Sequence, residues 1–375
     1  PNLHALVFCL LLCETSCIYN IYYIRLFHTE RRRMRVAIVG GGINGFCCAL
    51  QILEYYKQIT NIEVIVISEE FSPNTTGDGS AGLWGPYLLG GTSKSRVHKW
   101  SKGMHDFLEQ VWVSEDAGEA GVCLIPVVRL TTTESAIEDF WTDIVYGCTK
   151  LSPKQLDVYN EGRTKKFNSG LHFVTYTSEP VKLLPYLMKR FRKQGGKVQQ
   201  SKVIDFGEFL CSNDYDVIVN CTGLGSKDLL NDKSMVAVRG QVSRVKANWL
   251  YYVLLDESDD GNYIIPNTTS VVLGGTHQEG NFNRTVSMED KKFIIEGCQQ
   301  LVPGLSHAEH LFDWVGLRPG RSTLRLEVAK EPEAVIIHNY GHGGSGVTLA
   351  WGCAQDVLAL VDAEVQKRQL IKSKL

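Results

Sequence analysis

Apolar and polar positions alternate along this chain with two different periods. The run Arg35–Val39 places four apolar residues out of five ahead of Gly40, as a strand buried on both faces requires. The following "FCCALQILEYY" carries apolar residues at helical spacing. "NIEVIVISEE" then predicts a second β-branched strand ending in Glu69. "DYDVIVNCTGLGS" (214–226) predicts a further strand, Asp216–Asn220, closed by a glycine turn. Residues 236–276 alternate and are rich in Val, Tyr and Ile, with a turn at Pro266–Thr269, so antiparallel strands are expected there. Residues 287–301 read as a helix opened by Ser287 and Asp290. "HAEHLFDWVGLRPGRSTLRLE" predicts a strand whose end carries Arg318 and Arg321, and the chain closes on strand, glycine loop and helix. No internal repeat or low-complexity tract interrupts this order.

Between the first strand and helix stands Gly40-x-Gly42-x-x-Gly45. Strand, glycine turn, helix, and an acid on the next strand form a dinucleotide-binding βαβ unit. Gly40 permits the turn, Gly42 admits a pyrophosphate, and Gly45 lets helix and strand pack. Glu69 lies 24 residues beyond Gly45, within reach of ribose hydroxyls. A glycine turn without ligand is the alternative, and this unit by itself does not separate NAD from FAD. A second glycine-rich stretch, "NYGHGGSGVTLAWG" (339–352), holds five glycines and a histidine. A third, 72–91, offers the hydroxyls of Thr75, Thr76 and Ser80 beside Trp84, Pro86 and Tyr87. Three large apolar surfaces argue against a merely solvated loop.

Composition changes this picture little: 375 residues, 44% hydrophobic and 21% charged, suffice for a large core or two linked domains. The net charge of −2 argues against nucleic acid as partner. Eleven cysteines without paired CxxC spacing read as reduced thiols, with no metal site expected. Residues 3–13 are apolar but too short to span a membrane, and no membrane partner is expected. The chain begins at Pro1, and Arg31-Arg32-Arg33 precede Met34. Residues 1–33 therefore read as an extraneous or disordered leader, the alternative being a genuine secretory or anchor segment. The final Ser373-Lys374-Leu375 is the tripeptide read by the peroxisomal import receptor. A peroxisomal matrix location follows as an expectation, with a cytoplasmic pool beside it. Glycosylation sequons at Asn74 and Asn220 fall inside ligand-contacting segments, which tells against secretion.

Eight motifs in order carry a family resemblance: "VAIVGGGINGFCCAL", "AGLWGPYL", "DVIVNCTG", "RGQV", "YIIP", "VVLGGTHQEGNFN", "GLRPGRSTLRLE" and "HNYGHGGSGVTLAWG". From Met34 to Leu375 the chain resembles the D-amino-acid oxidase and D-aspartate oxidase family of flavoenzymes. The resemblance implies an α/β fold of mixed α+β character: a Rossmann-like FAD-binding domain with an inserted antiparallel-sheet substrate domain. Residues 34–90, 195–235 and 330–370 would form the discontinuous FAD-binding domain, and 91–194 and 236–329 mainly the substrate domain. It implies FAD bound non-covalently by Gly40, Gly42, Ile43, Asn44 and Gly45 at the pyrophosphate and by Glu69 at the ribose. Val203 would meet the adenine, and Thr222 would end the strand beneath the cofactor. Thr75, Thr76, Ser80, Ala81 and Gly82 would form the flavin-side loop, and Gly343, Gly344, Gly346, Val347 and Thr348 would surround the isoalloxazine.

The implied reaction is oxidation of a D-amino acid by O2, giving a 2-oxo acid, ammonia and hydrogen peroxide. In it Arg318 would grip the α-carboxylate, Tyr263 would assist, and the Gly344 carbonyl would accept from the amine. His277 and Ser345 are assigned to the substrate side chain. Histidine in "GGTHQEG" favours a D-aspartate/D-glutamate oxidase; the four acids of "LLDESDDGN" keep a neutral or broad D-amino-acid oxidase open. His277 in a purely structural role also stays open, and His342 is expected to brace backbone. A non-catalytic flavin-binding protein and a nicotinamide-dependent dehydrogenase are the rivals of other classes. A homo-oligomer is left open.

Overall fold

The structure, a computed structural model, describes residues 33–372 except 60, 134–139, 164, 213–214, 259–260 and 331–334. Apart from Arg33, the expected leader lies outside the described residues, as does the tripeptide 373–375. In chain order the strands and longer helices begin with β1 (Met34–Val39), α1 (Ile43–Tyr56), β2 (Ile62–Ser68), α2 (Lys94–Trp112) and β3 (Val122–Thr131). Next come β4 (Tyr146–Lys150), α3 (Pro153–Asn160), β5 (Ser169–Ser178), α4 (Pro180–Lys193), β6 (Lys197–Gln200) and β7 (Val217–Asn220). Then follow β8 (Met235–Lys246), β9 (Val253–Asp256), β10 (Tyr263–Pro266), β11 (Val271–Gly274) and β12 (Gln278–Glu279). The last are α5 (Met288–Leu301), β13 (Glu309–Arg321), β14 (Arg325–Lys330), β15 (Val335–Tyr340) and α6 (Gly346–Lys372). Among the described residues no helix is long and apolar enough to cross a membrane.

Six strands form one sheet in the order β14-β15-β7-β1-β2-β6. All neighbours are parallel except β14, which runs antiparallel to β15 at the edge. The unbroken apolar runs follow from burial on both faces. Val36, Ile38, Val64 and Val66 share one core with α1 and α6, whereas Ala37, Val39, Ile65 and Ile67 share another with Phe206, Tyr215 and Ile218. Neighbouring residues of a strand point to opposite faces, so both sets must be apolar.

The other sheet has nine strands in the order β12-β8-β11-β10-β9-β3-β5-β4, with β13 paired to β8 off this path. Its hairpin β10–β11 turns where Pro266–Thr269 predicted. Helix α5 begins one residue after Ser287, whose hydroxyl accepts from the Asp290 amide at 3.2 Å. The segment 91–194 serves both layers. Strands β3, β4 and β5 lie in the second sheet, but α2 and α4 pack on the helices of the first. Phe107 of α2 stacks on Trp351 of α6 with centroids 4.0 Å apart, and Arg190 of α4 pairs with Glu54 of α1 at 2.7 Å. The buried stripe Val97, Trp100, Met104, Phe107, Leu108 and Val111 makes this docking necessary for α2. Strand β14 (Arg325–Lys330), most of which falls before residue 330, likewise lies in the first sheet.

Candidate active site

A cleft of about 1440 Å³ runs across the carboxyl ends of β1, β2 and β7 and continues over the second sheet. Small-molecule pockets are usually about 300–1,000 Å³, so this one has room for a dinucleotide and a further small substrate. Its far end begins at the first glycine loop. Gly40 sits at φ +118° and its amide donates to the Ile67 carbonyl at 2.8 Å, tying the turn to β2. A Cβ at Gly45 would stand 1.9 Å from the Gly40 carbonyl oxygen, so helix and strand touch there. A Cβ at Gly42 would meet nothing within 4 Å and would project into the cleft. The first turn of α1 carries no acid and no side-chain cap, leaving its amides and positive end to a ligand. Glu69 stands at the rim, paired with Lys202 at 2.9 Å, and Val203 and Thr222 line the same end.

The second glycine loop lies against the first. A Cβ at Gly346, the first residue of α6, would find Asn44 Nδ2 as its nearest neighbour, at 3.6 Å. Ile43, Asn44, Thr75, Thr76, Ser80, Ala81, Gly82, Gly343, Gly344, Val347 and Thr348 all line the cleft. Of the three hydroxyls in 72–91, Thr75 donates to Asp78 Oδ2 at 2.6 Å and Thr76 to the Leu317 carbonyl at 3.4 Å. The third, Ser80 Oγ, has no protein partner among the described residues. Thr348 braces Gly85, donating to its carbonyl at 3.0 Å. Among the described residues, the buried polar atoms of the cleft lining that lack protein partners include Asn44 Oδ1, Ser80 Oγ, Asn339 Oδ1 and His342 Nε2. Buried polar groups demand partners, and a polar, ring-bearing dinucleotide between two helix N-termini supplies them. The residues present therefore fit FAD.

At the near end, Arg318 of β13 donates from Nη1 to the Thr276 carbonyl at 2.9 Å. Its guanidinium lies where a Cβ at Gly240 would come within 2.3 Å, so glycine there makes its seat. Arg321 is paired with Asp232 and Arg325 with Glu327, at 2.9 and 2.7 Å. Among the described residues no carboxylate pairs with Arg318. Tyr263 lies across Gly274 and Gly275. Burial pushes its hydroxyl pKa up, and the Arg318 guanidinium beside it opposes the shift. Tyr251, by contrast, is exposed, and Tyr252 packs in another cluster.

Tyr87 belongs to this group, although the sequence singled it out only for its bulk. Burial raises its hydroxyl, Arg318 opposes, and Tyr263 and Glu257 add to the rise. Its place comes from Ser345, which accepts from the Tyr87 amide and donates to its carbonyl, both at 2.6 Å. Ser345 was expected at the substrate side chain; it is instead fully buried, off the cleft lining, with its hydroxyl engaged by backbone. Gly45 is likewise off the lining, packed against the Gly40 carbonyl. His277 lines the rim and is exposed. Burial holds the His342 imidazole down at about 3, so it is neutral, and its carbonyl accepts from the Ser345 amide at 3.0 Å.

The two described acids at the end of β9 face cations. Glu257 pairs with Arg129 at 2.8 Å, and both line the cleft. Asp256 accepts from the Ser258 amide at 2.9 Å and its charge acts on Arg163. Its other two acids, at 259 and 260, lie outside the described residues. Arg129 carried no sequence signal, since it sits in an alternating strand far from every motif.

Comparison with known proteins agrees with this geometry. The profile of the FAD dependent oxidoreductase family (DAO) matches residues 35–360. The D-amino acid oxidase of Dugesia ryukyuensis is 37% identical over 345 residues, 90% of this chain and 100% of that protein. The D-aspartate oxidase of Homo sapiens is 34% identical over 334 residues, 87% of this chain and 94% of that one. Among solved structures, glycine oxidase from Geobacillus kaustophilus shares the fold with TM-score 0.70 at 19% identity, covering 88% of this chain and 95% of its own.

Proposed function

The chain belongs to the DAO family of FAD-dependent oxidoreductases, and from that premise we propose that it oxidatively deaminates D-amino acids, acidic ones foremost. The balance is D-amino acid, O2 and water to 2-oxo acid, ammonia and hydrogen peroxide. When bound, FAD supplies the acceptor for the Cα hydride and the route of that electron pair to oxygen. The chain's own residues bind and orient. Arg318 grips the α-carboxylate with a planar fork, which fixes where Cα lies. The hydroxyls of Tyr263 and Tyr87 are protonated at neutral pH, as ordinary phenols are, so each can donate to that carboxylate. The Gly344 carbonyl, at the cleft beside Tyr87, would accept from the substrate amine. Holding the reacting atoms in line is where most of the acceleration should arise.

One observation carries this reading: two glycine loops some three hundred residues apart meet on one cleft, with Arg318 and Tyr263 at its other end. His277 at the rim supports acidic substrates, as protonated imidazole would attract a side-chain carboxylate. A second reading, a neutral or broad D-amino-acid oxidase, draws on Glu257 inside the cleft lining. Peroxide release from D-aspartate, D-glutamate, D-alanine and D-methionine separates the two. Higher kcat/KM on the two acids supports the first reading, and higher values on D-alanine and D-methionine support the second. A flavin-loaded protein that releases no peroxide from any of them is a binding protein instead.

A further inference from the structure

We propose that Arg129 is the residue that reads a side-chain carboxylate on the substrate, with Glu257 holding its guanidinium until that carboxylate arrives. The inference rests on the D-amino-acid oxidase reading above. Its ground is the register of the second sheet. Tyr263 of β10 stands opposite Leu255 of β9, and Leu255 stands opposite Arg129 of β3. Residues opposite one another on neighbouring strands point to the same face. Two strand spacings place the Arg129 Cα about 10 Å from that of Tyr263. All three line the cleft. Arg129 therefore stands on the floor that carries Tyr263, one apolar residue further along, where a side chain can reach from an α-carboxylate held at Arg318.

Tyr87 ties the two ends together, since the charges of Arg318 and Glu257 both act on its hydroxyl. The two members of the pair differ in freedom. The Arg129 side chain is only 15% exposed, and its guanidinium lies over the Trp141 ring, 5.6 Å from the centroid. The Glu257 side chain is 38% exposed and follows the end of β9. A pair with one partner this wet is weakly held, so Glu257 can swing to water while Arg129 stays. With Glu257 in place the Arg129 charge is matched, and the floor beyond Arg318 receives a neutral side chain. A substrate carboxylate replaces one anion by another on the same guanidinium, so no buried charge is left alone. No bond is made or broken in this exchange. His277, exposed at the rim, becomes the lesser of the two contacts.

The test uses the full-length flavin-loaded protein and a pair of substrates alike in shape but not in charge. The kcat/KM ratio of D-glutamate over D-glutamine is measured by peroxide release, and the ratio of D-aspartate over D-asparagine alongside. Arg129→Gln should lower the ratio by about tenfold or more, chiefly through KM for the acid. Glu257→Gln should raise it, because the internal competitor loses its charge. Ratios that stay within about twofold in both variants, or a fall in Glu257→Gln, overturn the proposal. If Arg129→Gln is recovered without flavin, Glu257→Gln alone decides on the same terms. Peroxide from D-glutamine with unaltered ratios sinks the role of Arg129 and leaves the oxidase reading standing; no peroxide from any D-amino acid sinks both.

Discussion

Among the three arginines of "GLRPGRSTLR", Arg318 is the one whose guanidinium lies in the cleft, while its neighbours pair with Asp232 and Glu327. Arg318→Ala should lower kcat/KM by about a hundredfold or more, since a bidentate, partly buried charge contact is lost. The flavin absorbance of the purified variant should persist, because Arg318 stands at the substrate end. Unchanged kinetics would remove it from the site. His277→Leu should lower kcat/KM for D-glutamate more than for D-alanine, but only a few-fold, as befits an exposed side chain. Equal changes on both substrates would leave His277 a rim residue with no part in selection. These residues differ in how legible they were. Arg318 stands in a dense motif. Tyr87 showed only its bulk, because the Ser345 contacts that turn it toward Arg318 come from the other end of the chain.

At the scale of elements, the first glycine loop separates binding from folding within six residues. A Cβ at Gly45 would sit 1.9 Å from the Gly40 carbonyl oxygen, whereas one at Gly42 would stand free in the cleft. Gly45→Ala should therefore destabilise the apoprotein by about 1–3 kcal/mol through overpacking. Gly42→Ala should leave the apoprotein's unfolding midpoint near that of the parent and weaken FAD in a flavin titration. A Gly42→Ala protein that bound FAD with parental affinity would mean that no phosphate approaches this amide. The βαβ unit was readable because strand, turn and helix each announced themselves locally. Helices α2 and α4 carry no motif, and an amphipathic face does not say what it covers; both pack on the first sheet's helix layer.

For the whole molecule, two buried histidines couple stability to pH. Burial lowers His342 to about 3, and burial with help from Arg325 lowers His338 to about 4. Both are neutral in the fold yet titrate near 6.5 when unfolded. Their contribution is complete above about pH 6.5 and is lost as pH falls toward 4, since the unfolded chain binds the protons. Each costs roughly 1.4 kcal/mol per pH unit in that window. Urea midpoints at pH 7.5, 6.5 and 5.5 should fall with decreasing pH, and His338→Gln should make the decline shallower. A decline of unchanged slope would exclude His338 as a cause.

The order of local patterns determined much of this protein. Unbroken apolar runs called for a sheet covered on both faces, alternating ones for antiparallel strands, and glycine spacing for a phosphate-binding turn. Those features depend on near neighbours in the chain, so a linear reading reaches them. The tertiary structure put residues 42 and 346 on one cleft as the resemblance implied, and it alone decided that Ser345 supports Tyr87 and that Arg129 holds Glu257. Such contacts join positions up to three hundred residues apart, and they arise from which apolar face covers which, a choice that periodicity leaves open.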